Sequence, residues 1–485
     1  MAELFKGFEP EAVWSYFSQI CNIPRPSKKE EKIREFLLKF GNEHGLETHE
    51  DGAGNILLKK KPSPGRENDR TVILQGHMDM VCEKNSDVQH DFNADAIVPF
   101  VDGEWVKAKG TTLGADDGIG VAAMLAVLAD KNIQHGPLEC FFTADEETGM
   151  TGAFALEKKF LGGKVLINLD SEDEGELFIG CAGGMDTTAV LGYDKRPVPD
   201  RSKALVIRIS GLKGGHSGDD IHKALGNSNK ILTRILWNAM KKFEIRLSRF
   251  EGGNLRNAIP REAYAVVTVP ANQVDKFKVY LKHIGQTIKE ELLSNEPSLE
   301  IKAEDVSLPE FVINKSVQAK LISSLYACPN GVIAWSKEIK GLVETSTNLA
   351  SVKYTEDNRI KVATSQRSSV NSAKEDIAHM VESVFSLAGA RVKHGKGYPG
   401  WTPNKNSEIL SITIAAYRKL FNKEPKVKAI HAGLECGLFL EKYPDMDMIS
   451  FGPTIKGVHS PDERLDIASV KRFWDLLAEV LRQVH

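Results

Sequence analysis

The stretch "TADEETGM" sets Asp145, Glu146 and Glu147 side by side behind the apolar run "LECFF". Three adjacent carboxylates repel one another, so something positive must lie close enough to hold them. Polar groups follow other short apolar runs in the same way. His77-Met78-Asp79 comes after "TVILQG", Asp116-Asp117 after the Gly-rich "KGTTLGA", Asp170 after "KVLINL", and Val458-His459-Ser460 after "SFGPTIKG". Imidazole and carboxylate without thiolate form a donor set for zinc, manganese or cobalt rather than for calcium or magnesium. Five such ligands exceed what one tetrahedral catalytic ion takes from a protein. One carboxylate shared by two ions gives each ion three ligands, with the ions roughly 3.5–4 Å apart. The neighbouring glutamates can then divide the work. One of Glu146 and Glu147 binds an ion while the other reaches a water and takes its proton. An extended strand end would splay the two side chains. In His77-x-Asp79 the imidazole coordinates through one nitrogen, and the nearby acid receives the other N–H.

Each motif alone has a plainer reading. A His-x-Asp usually faces solvent, adjacent acids usually belong to a solvated loop, and His459 alone would cap a turn. The acids from Asp173 to Glu176 in "DSEDEGE" read as an exposed loop. Convergence of five segments is what argues for chemistry. Further candidates lie elsewhere. His216 stands on the Gly-rich "GLKGGHSGDD", which lacks the Gly-Lys-Ser/Thr ending of a phosphate loop. Its glycines let backbone approach a ligand. Asn257 in "NLRNAIPRE" offers amide donors, and Arg367 in "TSQRSS" has the fork that grips a carboxylate. In "HAGLECG", Gly433 and Glu435 line a site or, for Glu435, serve as a buried structural acid.

The elements that must position these residues follow from periodicity. Residues 10–20 and 29–45 read as amphipathic helices, the second with Ile33, Phe36, Leu37 and Phe40 on one face. "NILLKKK", "TVILQG", "LECFFT" and "KVLINLD" read as short buried strands, and "GIGVAAMLAVLAD" as a buried helix between them. That alternation predicts an α/β domain with a largely parallel central sheet, whose site gathers at the carboxyl ends of the strands. After about residue 186 the order becomes βαββαβ, from "KALVIRISG" to "LEIKAEDV". A ragged second copy runs from "VQAKLISSLYAC" to "ARVKHGK", and "YPGWTPNKN" reads as a Pro/Gly linker. The helix "SEILSITIAAYRKLF" and the strands "KVKAIHAG" and "MDMISFGP" then return to α/β style. The predicted organisation is a two-domain chain with a discontinuous α/β catalytic domain in residues 1–185 and 399–485. Residues 186–398 form an inserted α+β lid and dimerisation domain of ferredoxin-like type, doubled on this reading.

Composition bounds the rest. The 485 residues are 41% hydrophobic with a formal net charge of −3, enough for a substantial core and without a basic surface for nucleic acid. No apolar run reaches the roughly 20 residues that cross a bilayer. "MAELFKGFEPEAVW" lacks a basic segment followed by an apolar one, so no secretory signal is expected. Six cysteines without C-x-x-C spacing read as reduced and buried in a cytoplasmic protein.

"GHMDMV", "GADDG", "DEETG", "NLDSE", "GGHSG", "NAIPRE", "HAGLECG" and "GVHSPDE" occur in one chain and in this order. As a set they resemble the M20 family of di-zinc peptidases, and the resemblance runs from "IPRPS" to the C-terminal helix. It implies a metallodipeptidase that hydrolyses unblocked dipeptides, Xaa-His among them, with two divalent ions per chain. Zinc is the first choice, and manganese or cobalt would suit the same ligands. It further implies that His77 and Asp170 bind one ion, Glu147 and His459 the other, and that Asp116 bridges them, with a cis peptide after Asp116. Glu146 would be the general base, and Asp79 would support His77. His216 would stabilise the oxyanion, and Asn257 and Arg367 would bind substrate. The insertion is roughly twice the length of a single βαββαβ lid. Either a doubled lid supplies His216 within one chain, or the extra module accompanies a homodimer formed through the insertion. An N-acyl-amino-acid amidohydrolase of the same family and a metal-bound scaffold without turnover are the rival readings.

Overall fold

The computed structural model describes residues 3–485. The chain divides into two compact units, and the first contains residues up to Gly180, Pro403–Ala429 and Leu434–His485. It is built on an eight-stranded sheet. In spatial order the strands are Glu47–Glu50, Ile56–Lys60, Leu138–Thr143, Val72–His77, Val165–Asn168, Asp447–Ser450, Glu176–Cys181 and Lys426–Ile430. The four from Leu138–Thr143 to Asp447–Ser450 run parallel, and antiparallel partners flank them. Val72–His77, Leu138–Thr143 and Val165–Asn168 are buried along their whole length, as strands covered on both faces must be. Their near-continuous apolar runs are therefore the sequence signature of the sheet centre. Helix Glu11–Cys21 packs on the almost wholly buried helix Ala115–Ala129, and Glu408–Phe421 packs on Ile467–Gln483.

This arrangement places His77 at the carboxyl end of its parallel strand, and the Asp145–Glu147 turn, Asp170 and the His459 loop beyond the carboxyl ends of others. Glu176, read from the sequence as part of an exposed loop, instead opens a buried strand. Its carboxylate lies 2.5 Å from Lys428 Nζ and 3.4 Å from Lys426 Nζ, which explains how an acid can sit there.

The second unit comprises Cys181–Thr402 and Ile430–Gly433. Its main sheet has nine strands paired antiparallel. One half follows the order strand Ser202–Ser210, helix Ser228–Lys242, strands Arg246–Gly252 and Ala263–Pro270, helix Val274–Leu292, strand Glu300–Val306. The first strand lies between the fourth and the third, the fourth is at the sheet edge, and the second faces the other half. The other half repeats this arrangement with strand Gly183–Gly192, helix Lys315–Ala327, strands Val343–Tyr354 and Arg359–Ser368, helix Asn371–Leu387, strand Arg391–His394. The second copy looks ragged in the sequence because its first strand precedes the whole of the first copy. The halves meet where Gly252 pairs with Val352, and one apolar core runs under both.

Phe141, fully buried in the first unit, packs its ring 6.0 Å from Phe160 and 5.8 Å from Phe439. Phe141→Ala is expected to destabilise that unit by about 3–5 kcal/mol, read as a lowered urea midpoint.

Candidate active site

The aspartate at the head of helix Ala115–Ala129 connects the cluster. Asp116 Oδ1 lies 3.2 Å from His77 Nε2, and Asp116 Oδ2 lies 3.2 Å from His459 Nε2. His77 Nε2 is also 3.7 Å from Asp170 Oδ1, and His459 Nε2 is 3.1 Å from Glu147 Oε2. Two groups of three potential ligands, His77/Asp116/Asp170 and Asp116/Glu147/His459, thus share one carboxylate. Glu146 joins His77 and Glu147 in a third such group. The peptide bond between Asp116 and Asp117 is cis.

Local structure explains the two neighbouring glutamates, and it corrects the expectation of an extended strand end. Asp145 adopts a left-handed conformation with φ 52°, and Glu146–Gly149 forms a single helical turn. The Asp145 carboxylate accepts from Thr148 Oγ1 at 2.5 Å and Thr151 Oγ1 at 2.6 Å, which bends the chain out of the strand direction. Asp79, fully buried, accepts from the Glu146 N–H at 3.1 Å and the Glu147 N–H at 3.2 Å. The same carboxylate accepts from Ser27 Oγ at 2.8 Å and lies 3.4 Å from His77 Nδ1. One acid therefore orients the first histidine and holds the backbone of both glutamates.

Two further supports were not singled out in the sequence. Glu463 accepts from four consecutive backbone N–H groups, those of Leu113, Gly114, Ala115 and Asp116, at 2.7–3.3 Å. It stands in "GVHSPDE" close after His459, which was the available signal. Arg25, in "IPRPS", donates to the carbonyls of Met78, Asp79 and Gly114 and ties the first two strand-end loops together. Gly114 has φ 67°, and a Cβ there would meet Arg25 Nη2 at 2.6 Å. Neither a buried arginine nor a buried glutamate declares its partners in sequence, because those partners are backbone atoms of other segments.

The electrostatics of the cluster call for positive charge. Burial alone would lower the His77 pKa, but Asp170, Asp116 and Asp79 outweigh it and hold His77 well above its ordinary value. Hydrogen bonds to Asp116 and Glu147 push His459 up to about 11. Burial opposes ionisation of Asp116, yet the two histidines pull its pKa below the usual carboxylate range. Burial raises Glu146 and Asp170 well above that range, with neighbouring acids adding to it. Glu147 Oε1 is buried without a hydrogen-bond partner. A divalent cation fits this donor set because it can take the place of the protons the cluster otherwise needs.

Glu435 is fully buried. Its Oε2 accepts from Gln75 Nε2 at 2.7 Å and Thr143 Oγ1 at 2.6 Å, and burial pushes its pKa up to about 7. His216, Asn257, Arg367 and Gly433 all belong to the second unit. Arg367 Nη2 lies 3.4 Å from His216 Nε2, and Arg367 Nη1 donates to Tyr398 Oη at 3.1 Å. Asn257 is exposed, and its carbonyl accepts from the Ser217 N–H at 2.7 Å, beside His216. Gly433 makes room for an aromatic ring, since a Cβ there would meet Tyr398 Cε2 at 2.9 Å. Tyr398 itself falls in the run read as a linker, where only its aromatic character marked it.

The sequence model of peptidase family M20/M25/M40 matches residues 73–483. The chain belongs to that family. It is 46% identical over 484 residues to the cytosol non-specific dipeptidase of Escherichia coli (strain K12), covering 100% of this chain and 99% of that protein. The crystal structure of aminoacylhistidine dipeptidase from Vibrio alginolyticus matches with a TM-score of 0.91 at 45% identity, covering 99% of this chain and 98% of that one. The aminopeptidase PepT of Bacillus cereus, at 16% identity and a TM-score of 0.57 over 98% of this chain and 99% of its own, shares the fold alone. As an M20 peptidase this chain is a hydrolase acting on peptide bonds. No helix among the described residues is long and apolar enough to cross a membrane.

Glu463→Ala leaves four N–H groups at the head of the Asp116 helix without their acceptor. It is expected to lower kcat/KM for peptide hydrolysis about 10–100-fold, with the far-ultraviolet circular dichroism unchanged.

Proposed function

We propose that this chain is a metallodipeptidase that works with two divalent ions, zinc first and manganese or cobalt as substitutes. Asp116 carries the reading. Its two oxygens face two different histidines, and each histidine has a further acid beside it. His77 and Asp170 would hold one ion, Glu147 and His459 the other, and Asp116 both. Bound there, the ions supply Lewis-acid polarisation of the scissile carbonyl and acidify water. Glu146 takes the proton of the attacking water and delivers it to the leaving amine. Asp79 Oδ1, 3.4 Å from His77 Nδ1, would take that N–H, fix the tautomer and turn Nε2 toward Asp116 and Asp170.

In the second unit, His216 supports the developing oxyanion, and Arg367, steadied by Tyr398, holds the free carboxylate of the substrate. Asn257 contributes amide contacts to the same substrate. Gly433 and Glu435 act through their neighbours, Tyr398 and the end of strand Leu138–Thr143. Unblocked dipeptides, Xaa-His among them, are the substrate class, supported by the names of the E. coli and Vibrio relatives. A cytoplasmic site of action accords with the former name.

Glu146→Ala tests the chemistry. The variant is expected to retain its divalent ions by elemental analysis while kcat falls about 10²–10⁴-fold; undiminished turnover would remove Glu146 from the mechanism. A substrate panel tests the specificity. Unblocked dipeptides are expected to be cleaved in preference to N-acyl amino acids, and the reverse preference would make the chain an amidohydrolase.

A further inference from the structure

A second cluster of potential ligands lies on the second unit and shares no residue with the cluster around Asp116. His379 and Glu382 stand one turn apart on helix Asn371–Leu387, and His394 ends the edge strand Arg391–His394. The three offer ligand atoms that all lie within 4.8 Å of one another. His379 is exposed, and Glu382 and His394 are half-buried.

The hydrogen bonds behind His394 fix which of its nitrogens carries a proton. The Gln366 amide donates through Nε2 to Thr364 Oγ1 at 2.7 Å and to Thr347 Oγ1 at 3.2 Å, which leaves its Oε1 as an acceptor. Thr187 gives its single hydroxyl proton to that oxygen at 2.7 Å. The Thr187 oxygen can then only accept, so His394 Nδ1, 2.9 Å away, is the donor. The other nitrogen, Nε2, lies 2.9 Å from Glu382 Oε2. A carboxylate has no proton to give. The two acceptors tolerate that distance only with a second proton or a cation between them. The His379 ring packs edge-on with its centroid 5.9 Å from that of His394, so a third donor is at hand.

We propose that His379, Glu382 and His394 bind one zinc-class divalent cation on the second unit. Two imidazoles and one carboxylate match the donor preference of zinc, nickel and copper. The Gln366–Thr187–His394 relay supplies the outer support that metal-binding histidines commonly have. The exposed His379 side chain has the freedom to close the remaining gap, and solvent completes the coordination. The site stands independently of the reaction proposed above.

Equilibrium dialysis of the full-length protein against zinc, with bound zinc counted per chain, tests the proposal. The unmutated chain is expected to carry one more zinc ion than either His379→Ala or Glu382→Gln, while all three proteins hydrolyse peptide at the same rate. Both replaced side chains reach solvent, so both variants are expected to fold. Equal zinc counts in the three proteins would overturn the proposal.

Discussion

Repulsion between acids crowded at the end of a sheet is the constraint that orders the first unit. Asp79, Asp116, Glu146, Glu147 and Asp170 lie around two imidazoles, Asp79 buried and the others half-buried. Left to themselves such groups would swing apart or take up protons. The fold prevents the first through hydrogen bonds to backbone. Asp79 holds two N–H groups of the Glu146 turn, Glu463 holds four at the head of the Asp116 helix, and Arg25 holds three carbonyls. Because these anchors fix main chain, the side chains they serve have little freedom to relax. The unrelieved demand for positive charge is what suits the cluster to a cation.

Most of the strand-end chemistry was legible because parallel strands buried on both faces write themselves as short apolar runs, and the polar residue after each run is conspicuous. The five segments carrying His77, Asp116, Glu147, Asp170 and His459 could be picked out one by one. Their pairing was not legible from the residues themselves, since which oxygen faces which imidazole depends on the left-handed Asp145, the helical turn after it and the anchors behind. The exposed-loop reading of Glu176 failed because lysines from a distant segment neutralise it.

In the second unit, legibility followed periodicity and stopped at long-range order. Each helix and most strands were recognisable locally, yet the second copy looked irregular because its opening strand had been separated from it. The cluster of His216, Arg367 and Tyr398 was half visible. The first two carry chemistry in their side chains, whereas Tyr398 lay in a run of glycine and proline whose composition signals only a bend. Its ring is accommodated by Gly184 and Gly433, at both of which a Cβ would collide with it. Small residues of this kind reveal a shape only after the large residue is in place.

The two βαββαβ halves are nested, not sequential, and this sets an order of assembly. Strand Gly183–Gly192 leaves the ribosome early, but its partner Arg359–Ser368 emerges only after the entire inner half has been made. The first unit repeats the pattern on a longer scale, since strand Val165–Asn168 must wait for Asp447–Ser450. Closing such long spans is slow, whereas the inner half can close on its own contacts. Strands Val165–Asn168 and Gly183–Gly192 thus keep open edges until their distant partners have been made.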